Sequence, residues 1–352
     1  MKIVHYLNHT RQANGHVAVA VDLACAHAAM GHDVYLLSGP GDFDDILARN
    51  GVARITVPDA DGFFPLRLLN MAKSLLPVMR RIRPDVVNAH MVAAAIAARL
   101  VAWSAGYKLV TTVHNSFDKQ APLMRVGDRV IAISKSVYDE MRGFSVAAGK
   151  LRIVRNGTIG GARRPAAPVR TLPLAHPAIV TVCGLHPRKG VDHLIDAFAI
   201  VHRQCPAAHL YIVGDGPFRS AYEERAAASG AGDAVHFTGH LSDPREVLAT
   251  ADIFALASLR EPFGLVVSEA REMGCALVTT DVDGLPEAVG GRDRALLVPP
   301  ADPVAMAEAL LTLTNDSALL AHYRAAAAAE TQDLTVALMA AATLDVYREI
   351  VG

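Results

Sequence analysis

Aromatic residues are scarce in this chain. Phe, Trp and Tyr make up 5% of its 352 residues, with a single Trp. That leaves little surface on which nucleobases could stack. No nucleic-acid-binding motif accompanies the basic stretches, so nucleic acid is not an expected partner. Cysteine is sparse too. Cys25, Cys183, Cys205 and Cys275 are scattered without paired spacing. This argues against a disulfide or zinc framework and fits buried thiols of a cytosolic protein. No apolar run is long enough to span a bilayer, and Met1-Lys2 leads directly into a strand pattern instead of a secretory leader. No His/Cys cluster has zinc spacing. Neither a metal nor a cofactor is expected. Net charge is nearly absent, at −1, but it hides an asymmetry: residues 1–165 hold 21 Lys and Arg against 12 Asp and Glu, and the remainder 13 against 23. A basic half opposite an acidic half suggests that the first half meets something anionic, with a membrane surface or a phosphorylated acceptor favoured over nucleic acid.

What is present is a folded α/β pattern. The chain is long enough for two domains and is 52% hydrophobic and 20% charged. In the first half KIVHYLN, HDVYLLSG, ARITVP, PDVVNAH, KLVTTVHNSF, DRVIAIS and LRIVRNG read as about seven strands separated by helical stretches. In the second half AIVTVCGL, HLYIVGDG, AVHFTGHL, DIFALAS, ALVTTDV and ALLVPP repeat the alternation. Strand–helix alternation argues for parallel, doubly wound sheets. The Pro-rich stretch from Gly160 to Pro177 reads as a linker. The expected domains are 1–165, joined by a C-terminal helix at about 335–352, and 166–334.

One stretch concentrates the chemistry. SLREPFGLVVSEAREMGCALVTTDVDGLPE follows the apolar run DIFALAS. Glu261 stands in a loop at the end of a strand, Glu269 in the helix that follows, with seven residues between them. The amides of Phe263, Gly264 and Leu265 are the expected free donors of that helix's first turn, where backbone N–H groups and the helix dipole attract phosphate. Gly264 lets the backbone come close to a ligand. The two carboxylates would repel phosphate but can accept hydrogen bonds from hydroxyls. A sugar nucleotide carries hydroxyls on both sides of its diphosphate. The ordinary reading of two such glutamates is a pair of solvated side chains; Pro-Phe-Gly and the preceding buried strand argue against it here.

This wording, S-x-x-E-P-F-G-L-x-x-x-E-A followed by a buried strand and G-x-P-E, resembles the E-x7-E signature of retaining glycosyltransferases of family 4. The likeness extends over nearly the whole chain. It implies the GT-B architecture: two Rossmann-like doubly wound domains with an interdomain cleft. The first would bind the acceptor and the second the nucleotide sugar. The resemblance implies roles residue by residue. Gly15, in the loop after the first strand, would offer its backbone to the donor phosphates. His114 matches the T-x-H whose histidine contacts the donor sugar near the reacting carbon, and His90 resembles a second family histidine. Ser134 and Asn156-Gly157 match short motifs near the cleft and hinge. Lys189 matches the lysine of G-R-L-x-x-x-K-G, whereas Gly184 occupies the usual arginine's place; Arg188 or His186 is then the candidate second cation. A cationic pair opening a helix is unfavourable to the dipole unless an anion sits there. Gly214 belongs to a G-x-G-P turn bordering the nucleotide pocket, and His240 and Leu241 lie where the base and ribose bind.

Other patterns are read as structural. GDGPF lacks the third glycine of a dinucleotide loop. Asp281-Val-Asp283 spells D-x-D but reads as a loop, and so does Asp59-Ala-Asp61. Residues 63–83 form a basic amphipathic stretch, either an ordinary surface helix or one lying on an anionic membrane, with Pro77 expected to break or kink it. The expected activity is metal-independent, retaining transfer of a sugar from a nucleoside-diphosphate sugar (UDP- or GDP-sugar favoured) to a saccharide or lipid-linked acceptor. The setting is polysaccharide or cell-envelope glycan synthesis, cytoplasmic or peripheral at the inner face of the cell membrane. A sugar-nucleotide epimerase and a non-catalytic sugar-nucleotide-binding protein remain the alternatives.

Overall fold

The structure is a computed structural model that describes residues 1–12, 14–58, 63–164 and 169–351. The Asp59-Ala-Asp61 stretch lies outside the described residues. The chain divides into two compact units, Met1–Pro165 with Leu334–Gly352, and Ala166–Asp333.

The first unit is built on a parallel sheet of β1 (Lys2–Tyr6), β2 (Asp33–Ser38), β3 (Ala53–Thr56), β4 (Val86–Ala89), β5 (Lys108–Val113), β6 (Arg129–Ala132) and β7 (Leu151–Ile153), in the order β3-β2-β1-β4-β5-β6-β7. Its helices are α1 (Gly15–Ala29), α2 (Asp44–Arg49), α3 (Phe64–Ile82), α4 (Val92–Ala105), α5 (Lys135–Gly143) and the last helix of the chain, Val336–Val351, which packs on α1. Every residue of β4 is buried. That is the consequence of a sheet covered on both faces, and it explains why these strands read as apolar runs with no alternation. Helix α3 buries Leu68, Met71, Ala72, Leu75, Met79 and Ile82 at helical spacing. That burial carries it through Pro77 without the break that proline alone could cause.

The second unit is a parallel sheet of β8 (Ala178–Val182), β9 (His209–Val213), β10 (Val235–Gly239), β11 (Ile253–Leu256), β12 (Ala276–Thr280) and β13 (Leu296–Val298), in the order β10-β9-β8-β11-β12-β13. Helices α6 (Val191–Gln204), α7 (Arg219–Ala228), α8 (Arg245–Leu248), α9 (Leu265–Glu272), α10 (Leu285–Ala288), α11 (Pro303–Asn315) and α12 (Ser317–Ala328) connect and follow the strands. On α6, Val191, Leu194, Ile195 and Phe198 are buried together, as their spacing predicts.

Each sheet reverses direction once. The chain steps outward from β1 to β3 and resumes at β4 on the other side of β1; it does the same from β8 to β10 and resumes at β11 beside β8. At such a switch point two loops leave the carboxyl edge in opposite directions and open a crevice, where open α/β sheets bind ligands.

Candidate functional site

In the second unit the switch point lies between β8 and β11, and it is from these two strands that the loops bearing Lys189 and Glu261 emerge. Glu261 is 7% exposed. Lys189 Nζ donates to its Oε2 in a short ion pair, and the Ser258 hydroxyl lies 3.4 Å from the same oxygen. Arg188 Nη1 donates to the Arg260 carbonyl at 3.0 Å and stands 3.9 Å from Glu261 Oε2. Both cations and the buried carboxylate are thus gathered into one cluster. Backbone bonds tie the two loops: Leu259 N–H donates to Arg188 O at 2.8 Å. Gly190, at φ +60, places its α-carbon so near the other loop that a Cβ would fall 2.1 Å from Ala257 O. Only glycine permits that approach, and it brings Lys189 against Glu261.

Helix α9 opens at Gly264, which has φ +91 and whose missing Cβ would collide with Leu285 Cδ2 at 2.7 Å. The amides of Phe263, Gly264 and Leu265 have no protein acceptor among the described residues. Phe263 itself is 1% exposed, so the turn is anchored from below while its N–H groups stay open. Glu269 lies half-buried one turn further on. Near it Arg245 is clamped by Asp243, Nε to Oδ1 2.9 Å. Asp243 first, and Glu269 more weakly, raise that guanidinium's pKa.

Two residues behave differently from a simple carry-over. The Gly214 amide is committed to Gly239 O at 2.8 Å. Its part is therefore close packing of β9 on the β8 loop, not donation to a ligand. Gly184 is exposed, and a Cβ there would meet nothing nearer than His186 Cδ2 at 3.4 Å. His186 therefore borders the empty arginine position, while Arg188 is the cation that joins Lys189 at Glu261. His240 and Leu241 follow β10 at the same edge of the sheet. Asp283, read from sequence as a plain loop residue, accepts the backbone N–H of Glu261 at 2.8 Å. Asp281 pairs with Arg292, Nη2 to Oδ2 2.7 Å. Among the described residues no three His, Cys, Asp or Glu side chains are placed to hold a metal together. A cavity of ≈ 530 Å³ in this unit is lined by His202, Ala226 and Gly230 near the C-terminal ends of α6 and α7, away from Lys189 just before α6.

In the first unit the switch point lies between β1 and β4, and a cavity of ≈ 330 Å³ opens there, lined among others by Asn8, His16, Arg67, His90, His114 and Asp118. Gly15 starts α1, and the amides of Gly15, His16 and Val17 have no protein acceptor among the described residues. Ser134 caps α5, accepting from Val137 N–H at 3.2 Å. Asn156 is 3% exposed and Gly157 packs directly on Thr335 O, where a Cβ would fall at 2.2 Å.

His114 is where sequence reading fell short. Its Nε2 lies 3.0 Å from His90 Nδ1. His90 Nε2 lies 3.0 Å from His5 Nδ1, and His5 Nε2 lies 3.2 Å from His27 Nδ1. His27 Nε2 ends the row, 3.2 Å from Ala340 O. Burial, followed by the neighbouring histidines, holds His5 and His90 well below the usual imidazole range. Burial first lowers His27 to about 4, His114 to about 3 and His16 to about 4. All five are neutral at pH 7. A signal for His5 was available: a polar residue within a strand buried on both faces needs an internal partner.

The family description "Glycosyltransferase Family 4" matches residues 13–158 and "Glycosyl transferases group 1" matches residues 176–316. A glycogen synthase of Mycobacterium tuberculosis is 34% identical over 289 residues, 75% of this chain and 69% of that protein. Among solved structures, Anabaena HepE in complex with UDP and glucose superposes with a TM-score of 0.84 at 20% identity, covering 99% of this chain and 100% of that one. WaaG, a glycosyltransferase involved in lipopolysaccharide biosynthesis, gives 0.76 at 18% identity over 97% and 99%. The fold is thus that of the GT-B enzymes, two Rossmann-like domains each built on a parallel sheet, and the chain belongs to the family 4, group 1 glycosyltransferases.

Proposed function

We propose that this enzyme transfers a sugar, with retention and without a metal, from a nucleoside-diphosphate sugar to a saccharide or lipid-linked acceptor in polysaccharide or cell-envelope glycan synthesis. The observation that carries the reading is the cluster at the second switch point: Lys189 and Arg188 beside buried Glu261, with the open amides of Phe263, Gly264 and Leu265 starting α9. Departure of a nucleoside diphosphate develops negative charge on its terminal oxygens. Fixed cations and backbone N–H groups stabilise that charge with little reorganisation. Lys189 leaves part of its pairing with Glu261 to meet the diphosphate. Glu261 then accepts hydrogen bonds from the sugar's hydroxyls and Glu269 from the ribose. His240 and Leu241 border the base, and Gly15 with the first turn of α1 offers further amides. His114 contacts the sugar near its reacting carbon. The acceptor's proton goes to a departing phosphate oxygen on the same face of the sugar, so no protein general base is assigned. The complexes of HepE with UDP and glucose support a uridine diphosphate sugar as the first donor to try.

The basic first unit favours an anionic or lipid-linked acceptor. Helix α3 adds an observation in favour of a membrane surface. Phe63 is 78% exposed and Leu66 56% exposed at its start, near Arg67 and Lys73. Apolar side chains among cations suit an anionic interface. Among the described residues no helix is long and apolar enough to cross a bilayer. Flotation with anionic vesicles tests this part: failure to float, with wild-type turnover on a soluble acceptor, removes the membrane from the reading.

Thermal stability with UDP, GDP, ADP or CMP, each with and without magnesium, tests the donor site. Ligand at 100 times its Kd adds about 2.7 kcal/mol to folding stability. A shift with one nucleoside diphosphate, unaltered by magnesium, supports the metal-free site. No shift with any of them would reject it. Proton NMR of a candidate donor then separates the activities, since a new epimer without acceptor identifies an epimerase, and the product's anomeric configuration, compared with the donor's, reports retention or inversion.

A further inference from the structure

The four-histidine row in the first unit is not explained by binding alone. His5 and His27 are fully buried behind the cavity, and His90, 3% exposed, only borders it. Their nitrogens are 3.0 to 3.2 Å apart. Those are the separations of direct N–H···N hydrogen bonds. The inner end decides the polarity. A carbonyl oxygen only accepts, so His27 Nε2, facing Ala340 O, carries the proton. In a neutral ring the other nitrogen is then bare. His27 Nδ1 must accept from His5 Nε2–H, His5 Nδ1 from His90 Nε2–H, and His90 Nδ1 from His114 Nε2–H. With every ring neutral, no other assignment satisfies all four contacts. At the outer end His114 Nδ1 is left as a lone pair. It has no protein partner among the described residues, and His114 lines the cavity.

We propose that His90, His5 and His27 are positioning residues that hold His114 as its Nε2–H tautomer, so that His114 serves the cavity as a hydrogen-bond acceptor through Nδ1. The group it accepts from is a hydroxyl, and this last step rests on the glycosyl-transfer reading. The row does not conduct protons through the protein, because the Ala340 carbonyl closes its inner end. Its polarity is set from the last helix of the chain, by a residue 313 positions away from His27.

The test is nitrogen NMR of the full-length 15N-labelled protein at pH 7, with His114 assigned through the loss of its signals in His114→Gln. The expected result is neutral His114, His90, His5 and His27, each with a slowly exchanging Nε2–H, and a through-hydrogen-bond nitrogen–nitrogen coupling between His114 Nε2 and His90 Nδ1. In His90→Phe that coupling is lost and His114 Nε2–H exchanges rapidly with water. In His90→Asn, whose side-chain oxygen can replace Nδ1 as acceptor, the slowly exchanging proton returns. A wild-type His114 carrying its proton on Nδ1, or on both nitrogens, overturns the proposal whether or not any variant folds. So does a His114 signature that His90→Phe leaves unchanged. The readout needs no sugar nucleotide, so failure of the transfer reading alone would leave these signals as described.

Discussion

The backbone N–H of Glu261 donates to Asp283 Oδ2 at 2.8 Å, while Arg260 Nε reaches the same oxygen at 3.0 Å. The loop after β12 thus holds the loop after β11 in place, 22 residues away in sequence. A hydrogen bond to a charged group contributes about 1.5 to 3 kcal/mol. Asp283→Ala is therefore expected to reduce kcat/KM by about 10- to 100-fold, while Asp283→Asn, which keeps an acceptor, loses less. Steady-state kinetics of the two variants side by side checks this. Equal losses would mean that the charge alone matters, not the tether.

Lys189 and Glu261 stabilise one another. Lys189→Ala leaves a carboxylate that is 7% exposed without its nearest cation, and Arg188, at 3.9 Å, compensates in part. Removing one partner of a buried pair costs about 3 to 5 kcal/mol. Urea denaturation should show a loss toward the lower end of that range. The double variant Lys189→Met with Glu261→Met should regain much of it, although inactive. A double variant no more stable than Lys189→Ala would argue against a stabilising pair.

Gly184 offers a gain of function. A side chain fits there, since the nearest atom to a Cβ is in the His186 ring at 3.4 Å. Gly184→Arg places a second guanidinium beside the proposed diphosphate site. By the same charged hydrogen-bond scale it should tighten nucleoside-diphosphate binding by about tenfold. Calorimetric titration with UDP measures it. Unchanged or weaker binding would count against a diphosphate at this position.

The kinetic roles of Glu269 and His114 should separate. If Glu269 holds the ribose as proposed, Glu269→Ala removes a contact made in both ground and transition states, so KM for the donor rises with kcat little changed. His114→Ala removes the proposed contact near the reacting carbon and should lower kcat. Near-wild-type kinetics for both variants would sink these assignments.

Acid should destabilise the first unit through its histidines. The unfolded chain's imidazoles titrate near 6.5. In the folded chain His114 is lowered to about 3, His27 and His16 to about 4, and His5 and His90 well below the usual value. Between these values and 6.5 the unfolded state binds protons that the folded state does not. Stability is therefore complete above about pH 6.5 and is lost as pH falls below it, by up to about 1.4 kcal/mol per pH unit for each group. Urea melts at pH 7.5 and 5.5 should differ by several kcal/mol, and His27→Phe should shrink the difference. A flat profile over that range would contradict neutral burial of the row.

Much of this protein was determined by local sequence. The strand–helix alternation, the buried face of α6, the glycine opening α9 and the spacing of Glu261 from Glu269 are short-range properties of the chain. Apolar periodicity and turn chemistry act over a few residues, so they could be read directly. The course of α3 through Pro77 could not, because burial of Leu75 and Met79 outweighs a lost backbone hydrogen bond. Asp283 looked like an ordinary loop residue because its partner is the amide of a distant residue, not a neighbouring side chain. His5, a polar residue inside an apolar strand, signals only that some internal partner exists, and His27 sits in an Ala-rich helix with nothing around it to mark it. Only the parallel order of β1, β4 and β5, with α1 and the last helix packed beside them, places four imidazoles and the Ala340 carbonyl in one row. Hydrogen-bond direction along that row is fixed at its far end, so tertiary structure alone decides which nitrogen of His114 is free.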